Sequence, residues 1–171
     1  AVDPEYGTEE DFKKLVAEAH KRDIKILVDL ILNHSGSDHP WFQAAITDKN
    51  SPYRDYYVWA KKDSIRAQLS KKTISLDSDN LTQWHPVKGD TLDEHYYGFF
   101  WGGMPDLNFD NPKVKAEFVE IGKYWLNEMN VDGFRLDAAK HIYPTERATD
   151  NHAFWVWFKD EMQKIKPDVY L

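Results

Sequence analysis

Two short apolar runs constrain this chain more than anything else in it: "IKILVDLIL", Ile24 to Leu32, and "VDGFRLD", Val131 to Asp137. The first is nearly continuous in apolar residues instead of alternating, the pattern of a parallel strand covered on both faces. Each follows a segment with helical spacing. Thr8 is placed to cap a helix with an acidic first turn (Glu9, Glu10, Asp11), in which Phe12, Leu15, Val16 and Ala19 share a face. Asn111 and Pro112 open a second helix, with Val114, Phe118, Ile121 and Trp125 on one side. A third is expected over about Asn151 to Ile165, with Phe154, Phe158 and Ile165 inward and Pro167 as its stop; the final "DVYL" reads as the onset of a further strand. Helix, strand, helix, strand, helix, strand onset is the rhythm of β/α units around a parallel sheet.

Between the two strands the periodicity dissolves. From Ser35 to about Gly103 the chain offers short aromatic and polar pieces, "HPWF", "SPYRDYYVWA", "LTQWHPV" and "HYYGFFWGG". Roughly 70 residues of structureless loop do not fit a compact domain, so this stretch is expected to be an inserted subdomain. Its aromatics raise the content of the chain to 15%, with seven tryptophans, as suits either an aromatic core or flat ligands stacked on side chains. The net charge of −7, with basic residues scattered, argues against a nucleic-acid surface. Without cysteine, disulfides, thiolate nucleophiles and Cys-ligated zinc are excluded. No apolar run approaches the ~18 residues of a membrane span, and "AVDPEYGTEED" lacks the regions of a signal peptide. The compartment stays open.

Both strands carry their polar residues at the C-terminal end: Asp29, Asn33 and His34 on the first, Arg135 and Asp137 on the second. If Val131 to Leu136 is a strand, Arg135 and Asp137, two apart, point to one face and are neighbours. Such a pair is either a structural ion pair or an aspartate held ionised for chemistry. In a β/α barrel the C-terminal end is the catalytic face, which favours chemistry.

Three segments, "DLILNH" (Asp29 to His34), "MPDLN" (Met104 to Asn108) and "GFRLDAAKH" (Gly133 to His141), resemble signature regions of the α-amylase family, glycoside hydrolase family 13, in that family's order. The resemblance implies a partial TIM (β/α)8 barrel, from the second helix to the onset of the fifth strand, with the family's domain B inserted after the third strand. The implied division is 1–34 barrel, 35–103 domain B and 104–171 barrel. Asp137 matches the family nucleophile, which forms a covalent glycosyl-enzyme in a retaining mechanism, and Arg135 aligns it. His34 matches a histidine that hydrogen-bonds the sugar, and Lys140 and His141 match contacts on the leaving-group side. Asn33 and Asp106 match side-chain ligands of a calcium ion, to which His141 offers its backbone carbonyl. A zinc reading of His34 with His39 fails for want of a third nitrogen or sulfur ligand nearby.

Ala138 followed by Lys140 and His141 is the version of the motif that resembles α-amylases, so α-1,4-glucan in starch or maltooligosaccharides is the expected substrate. "MPDLN" resembles a group intermediate between amylases and oligo-1,6-glucosidases or neopullulanases, which keeps an α-1,6 preference as an alternative. Trp84, Tyr96, Tyr97 and Trp101 could stack on glucose rings or pack the subdomain. In the family the general acid is a glutamate after the fifth strand, expected beyond Leu171, so the 171-residue piece alone is expected to be inactive and, with open sheet edges, prone to associate. A non-catalytic amylase-like binding or assembly domain would be marked by loss of Asp137 or Arg135, and both are intact. An unrelated barrel acting on phosphorylated sugars would carry a Gly-rich phosphate loop, and none is visible.

Overall fold

A computed structural model describes residues 2–69, 83–87 and 94–171. They form two compact units, Ala1–Ile31 with Lys115–Leu171, and Leu32–Val114. In chain order the elements are helix α1 (Glu9–His20), strand β1 (Leu27–Ile31), helix α2 (Pro40–Thr47), strand β2 (Trp59–Lys61), helix α3 (Lys62–Leu69), strands β3 (Trp84–Pro86) and β4 (Glu94–Tyr97), helix α4 (Pro112–Lys123), strand β5 (Gly133–Asp137) and helix α5 (Ala148–Ile165).

The first unit is organised by parallel pairing. β1 and β5 run in register from Leu27 opposite Gly133 to Ile31 opposite Asp137. On the other edge of β5, Tyr170 forms a parallel bridge to Gly133; its N–H donates to Asp132 O and its carbonyl accepts from Phe134 N, each at 2.9 Å. The strand onset expected at "DVYL" is therefore present. α1 begins where its cap dictates: Thr8 Oγ1 accepts from Asp11 N at 3.1 Å, and Asp11 Oδ2 accepts from Thr8 N at 3.0 Å. Asn111 Oδ1 accepts from Lys113 N at 3.0 Å and opens α4. α5 starts at Ala148, earlier than the spacing suggests, because a 3-10 turn over Thr145–Arg147 leads directly into it. Its inward Phe154 and Phe158 are joined by Met162, also fully buried.

One expectation needs correction: Leu15 does not lie on the inward face of α1. Within this unit Leu30 and Phe134 are buried on one face of the strand pair, whereas Leu27 and Ile31 on the other face are 42% and 45% exposed, and Leu15 is 56% exposed. The face of β1 and β5 that carries Leu27 and Ile31 is left open among the described residues, as expected of two strands of a barrel that they do not close.

The strands enter their pairing from a buried carboxylate. Asp132 Oδ2 accepts from Ile26 N at 2.8 Å and meets His20 Nε2 at 2.7 Å, while Oδ1 accepts from Lys25 Nζ at 3.1 Å. Burial alone would raise this carboxyl, but the Ile26 N–H, His20 and Lys25 together hold it down at about 2.

The second unit contains an antiparallel sheet ordered β2-β4-β3, with Trp59 opposite Tyr96 and Trp84 opposite Tyr97. The Phe42 ring meets Tyr57 and Tyr96 edge-on, each at 4.9 Å, and the Arg54 guanidinium lies 3.3 Å over Trp59 while donating to Glu94 Oε2 at 2.8 Å. The expected insertion, 35–103, lies within this unit, and its stretches 70–82 and 88–93 fall outside the described residues. Among the described residues no helix is long and apolar enough to cross a membrane.

Two variants test the first unit. A Cβ on Gly133 would overlap the Tyr170 carbonyl, so Gly133→Ala is expected to destabilise by about 1–3 kcal/mol in a urea titration; an unchanged midpoint would show that the Tyr170 bridge contributes nothing. The Asp132 carboxyl lies lower in the folded than in the unfolded chain, so its contribution is complete above pH ~4 and lost as pH falls through about 2. Asp132→Asn should cost about 2 kcal/mol at neutral pH and flatten the stability profile across that acid window; a profile parallel to that of the native chain refutes the assignment.

Candidate active site

The register of β1 against β5 decides which side chains meet. Asp29 lies opposite Arg135, and Asp137, two residues on, shares their face. Arg135 Nη1 donates to Asp29 Oδ2 at 2.9 Å, and Nη2 stands 3.6 Å from Asp137 Oδ1. The guanidinium therefore bridges two carboxylates, and its shorter bond goes to Asp29, a partner the motif reading left without a role. The only sequence signal for Asp29 was its place on the neighbouring strand; pairing it with Arg135 requires the register. All three side chains are about 60% exposed, where an ion pair contributes roughly 0–1 kcal/mol to stability. The Asp132 cluster at the opposite strand ends is buried, whereas the Asp29, Arg135 and Asp137 group stands accessible.

Beyond β5 the backbone turns sharply. Ala138 has φ of 53°, a left-handed conformation that costs an alanine roughly 1–2 kcal/mol, and the His141 N–H donates to the Ala138 carbonyl at 2.9 Å. Lys140 and His141 thus follow Asp137 within one tight turn. Strained backbone of this kind clusters at active sites, and the sequence holds no sign of it, since alanine is indifferent in composition.

In the second unit, "NHS" and "PDL" pair as antiparallel segments: Leu107 N donates to Asn33 O at 2.9 Å, and Ser35 N to Pro105 O at 3.1 Å. This brings Asn33, His34 and Asp106 together. Asn33 and Asp106 are 1% and 5% exposed. Asn33 Nδ2 donates to Asp106 Oδ2 at 3.4 Å, and the His34 Nδ1–H donates to Asn33 Oδ1 at 3.0 Å. When Asp106 is ionised it can only accept, which fits the Asn33 amide nitrogen facing it and the Asn33 oxygen facing His34 Nδ1. Burial pushes the Asp106 carboxyl up to about 7, against the pull of the Phe99 N–H and the Asn33 amide. The buried Asp106 carboxyl is a hard-oxygen donor of the kind that suits calcium, whereas Asn33 turns its amide nitrogen toward Asp106 and its oxygen toward His34, so the amide would have to turn over to join it as a ligand. Among the described residues no group of three His, Asp or Glu converges on one point.

His39 is engaged as a cap, its Nδ1 accepting from Trp41 N at 3.2 Å at the start of α2. Of the four aromatic stacking candidates, Tyr96 is buried and donates to Gly102 O at 2.6 Å, and Trp84 packs edge-on against Tyr97 at 5.0 Å. Trp101 is 57% exposed, with its indole laid against the Gly103 backbone.

Parallel β/α units with Asp29 and Arg135 midway along paired strands and Asp137 at the C-terminal end of β5 fit a β/α-barrel type of catalytic domain. The chain belongs to the alpha-amylase family: the profile of the alpha-amylase catalytic domain matches residues 1–170. Alpha-amylase 3 of Dictyoglomus thermophilum is 45% identical over 170 residues, covering 99% of this chain and 30% of the relative. A 4-alpha-glucanotransferase of Thermotoga neapolitana is 41% identical over 94% of this chain and 34% of the relative. The crystal structure of an alpha-amylase from H. orenii superposes with a TM-score of 0.79 at 45% identity, over 99% of this chain and 32% of that one. The chain thus spans about a third of the length of these relatives, and the described residues form part of a barrel without closing one.

The contrast between the two carboxylate clusters is measurable. Asp29→Asn should shift the thermal unfolding free energy by less than about 1 kcal/mol, well below the effect of Asp132→Asn. Equal losses in the two variants would mean that the Arg135 cluster is structural.

Proposed function

We propose that the protein carrying this chain is a retaining glycosidase acting on α-1,4-glucosidic bonds of starch and maltooligosaccharides. What supports the reading is the accessible Asp137 carboxylate, 3.6 Å from the Arg135 guanidinium and followed by the left-handed Ala138 at the C-terminal end of β5. Asp137 attacks the anomeric carbon as the bond to the leaving oxygen breaks and a second carboxylic acid protonates that oxygen, giving a glycosyl-enzyme; the same group, now a carboxylate base, takes a proton from the water that releases the sugar. Arg135, itself tethered by Asp29, keeps the attacking oxygen directed along one line. His34 would hydrogen-bond the sugar at the scissile position, its ring orientation set by Asn33, and Lys140 and His141 would contact the leaving-group side. Trp101 offers an exposed face for a glucose ring.

Retaining hydrolysis needs a second carboxylic acid about 5–5.5 Å from the nucleophile. Asp29 is occupied by Arg135, so the 171 residues alone are proposed to lack turnover; release of reducing sugar from maltooligosaccharides by the isolated chain would contradict this. Intact Asp137 and Arg135 weigh against a non-catalytic binding domain. Relatives named 4-alpha-glucanotransferase and trehalose synthase support a second reading, in which a sugar hydroxyl intercepts the glycosyl-enzyme in place of water. Product analysis with maltotriose and with an α-1,6-linked isomer separates hydrolysis, transfer and α-1,6 preference.

In the full-length protein, Asp137→Asn is expected to lower kcat by about 10⁴-fold or more, and a slow fluorinated glycosyl donor should leave its sugar on Asp137 in a peptide mass spectrum. A label on any other carboxylate would refute the assignment. Asn33 and Asp106 are proposed as side-chain ligands of calcium, whose role is to brace this unit. A chelator should then lower Tm and added calcium restore it in the native protein but not in Asp106→Ala; Tm values indifferent to calcium would remove the metal from the reading.

A further inference from the structure

The loop after Asp137 is tied to α5 by two side chains outside the chemistry described above. The Ala139 carbonyl accepts from Trp155 Nε1 at 2.6 Å and from Asn151 Nδ2 at 2.9 Å. Through its Oδ1 the same Asn151 amide accepts from the Tyr143 N–H at 3.3 Å. One amide therefore grips both ends of the 139–143 loop, and Trp155 doubles the grip at its start. A carbonyl oxygen has two lone pairs, and here both are taken. The peptide between Ala139 and Lys140 cannot rotate without breaking both bonds, and that rotation is the motion by which Lys140 would change direction.

Two further features show that the loop is held against a cost. Ala138, just before the gripped carbonyl, sits at φ of 53°, and such a residue keeps its conformation only where its surroundings over-determine it. At the far end, Ile142 and Tyr143 are buried, with the Arg147 guanidinium 4.3 Å over the Tyr143 ring. The loop is thus anchored by apolar burial after His141 and by hydrogen bonds before Lys140, and the two candidate sugar contacts lie between the anchors.

The geometry points to Asn151 and Trp155 as positioning residues for specificity on the leaving-group side: by clamping the Ala139 carbonyl they fix where Lys140 and His141 stand relative to Asp137, without touching substrate. This rests on the proposed roles of Asp137, Lys140 and His141. It predicts that loosening the clamp harms reactions that use a sugar leaving group and spares those that do not.

The test compares Asn151→Ala, Trp155→Phe and the double variant in the full-length protein on a maltooligosaccharide and on a nitrophenyl α-maltoside, whose activated leaving group departs without sugar contacts. The double variant should lose about ten- to a hundredfold in kcat/KM on the oligosaccharide and less than about threefold on the aryl substrate, with smaller losses of the same kind in Trp155→Phe, which keeps an aromatic ring but loses the N–H together with the five-membered part of the indole. Equal losses on both substrates, or none, overturn the proposal. Asp137→Asn, assayed alongside, separates the two levels: turnover by that variant overturns the nucleophile reading and the specificity claim built on it. Amide exchange judges the clamp independently of activity. The Tyr143 N–H should exchange faster in Asn151→Ala, and unaltered protection there overturns the clamp alone.

Discussion

Five residues of parallel pairing, Leu27–Ile31 against Gly133–Asp137, are the constraint on which the candidate site depends. Side chains alternate across a strand, so a slip of one residue would turn Arg135 and Asp137 toward the covered face and leave Phe134 and Leu136 exposed. The register is held from below by Asp132, whose carboxylate gathers Ile26, Lys25 and His20 at the point where both strands begin. It is held from the side by Gly133, where the absence of a side chain lets Tyr170 approach. These features lie away from the candidate chemistry, yet they decide which charged groups meet.

The two ends of the strand pair divide labour according to solvent. At the entry end a carboxylate is buried and saturated with donors, so it is a fastener: breaking any one partner leaves a buried charge incompletely satisfied. At the exit end three charged side chains stand open to water, where ion pairing contributes little to folding. A guanidinium held by Asp29 presents its second edge to Asp137, and the left-handed Ala138 turns the chain away directly afterwards, leaving the carboxylate accessible.

In the second unit the aromatic wealth is mostly structural. Phe42, Tyr57, Tyr96 and Trp59 pack edge to face, and Arg54 lies flat on Trp59 while tied to Glu94. A core built from rings and amphipathic side chains is a way to make a unit whose strands have only three or four residues. It also explains why hydrophobic periodicity was unreadable there: strands this short do not complete a pattern. Asn33, His34 and Asp106, by contrast, were visible as motif members, though 73 residues separate Asn33 from Asp106 and only the antiparallel pairing of their segments joins them.

The sequence by itself determined the local elements and their order, because caps such as Thr8 with Asp11, Pro112 at a helix start, and apolar spacing act within a few residues. It also placed Arg135 beside Asp137, since their separation along one strand is enough. Only the tertiary structure decided that Asp29 is the closer partner of Arg135, that Ala138 is strained, that Asn151 and Trp155 hold the next carbonyl, and that β1 is covered on one face. The Asp29 pairing depends on register between segments 106 residues apart, and the hold on the Ala139 carbonyl on how α5 folds back over a residue 12 positions before Asn151 and 16 before Trp155; spacing along the chain encodes neither.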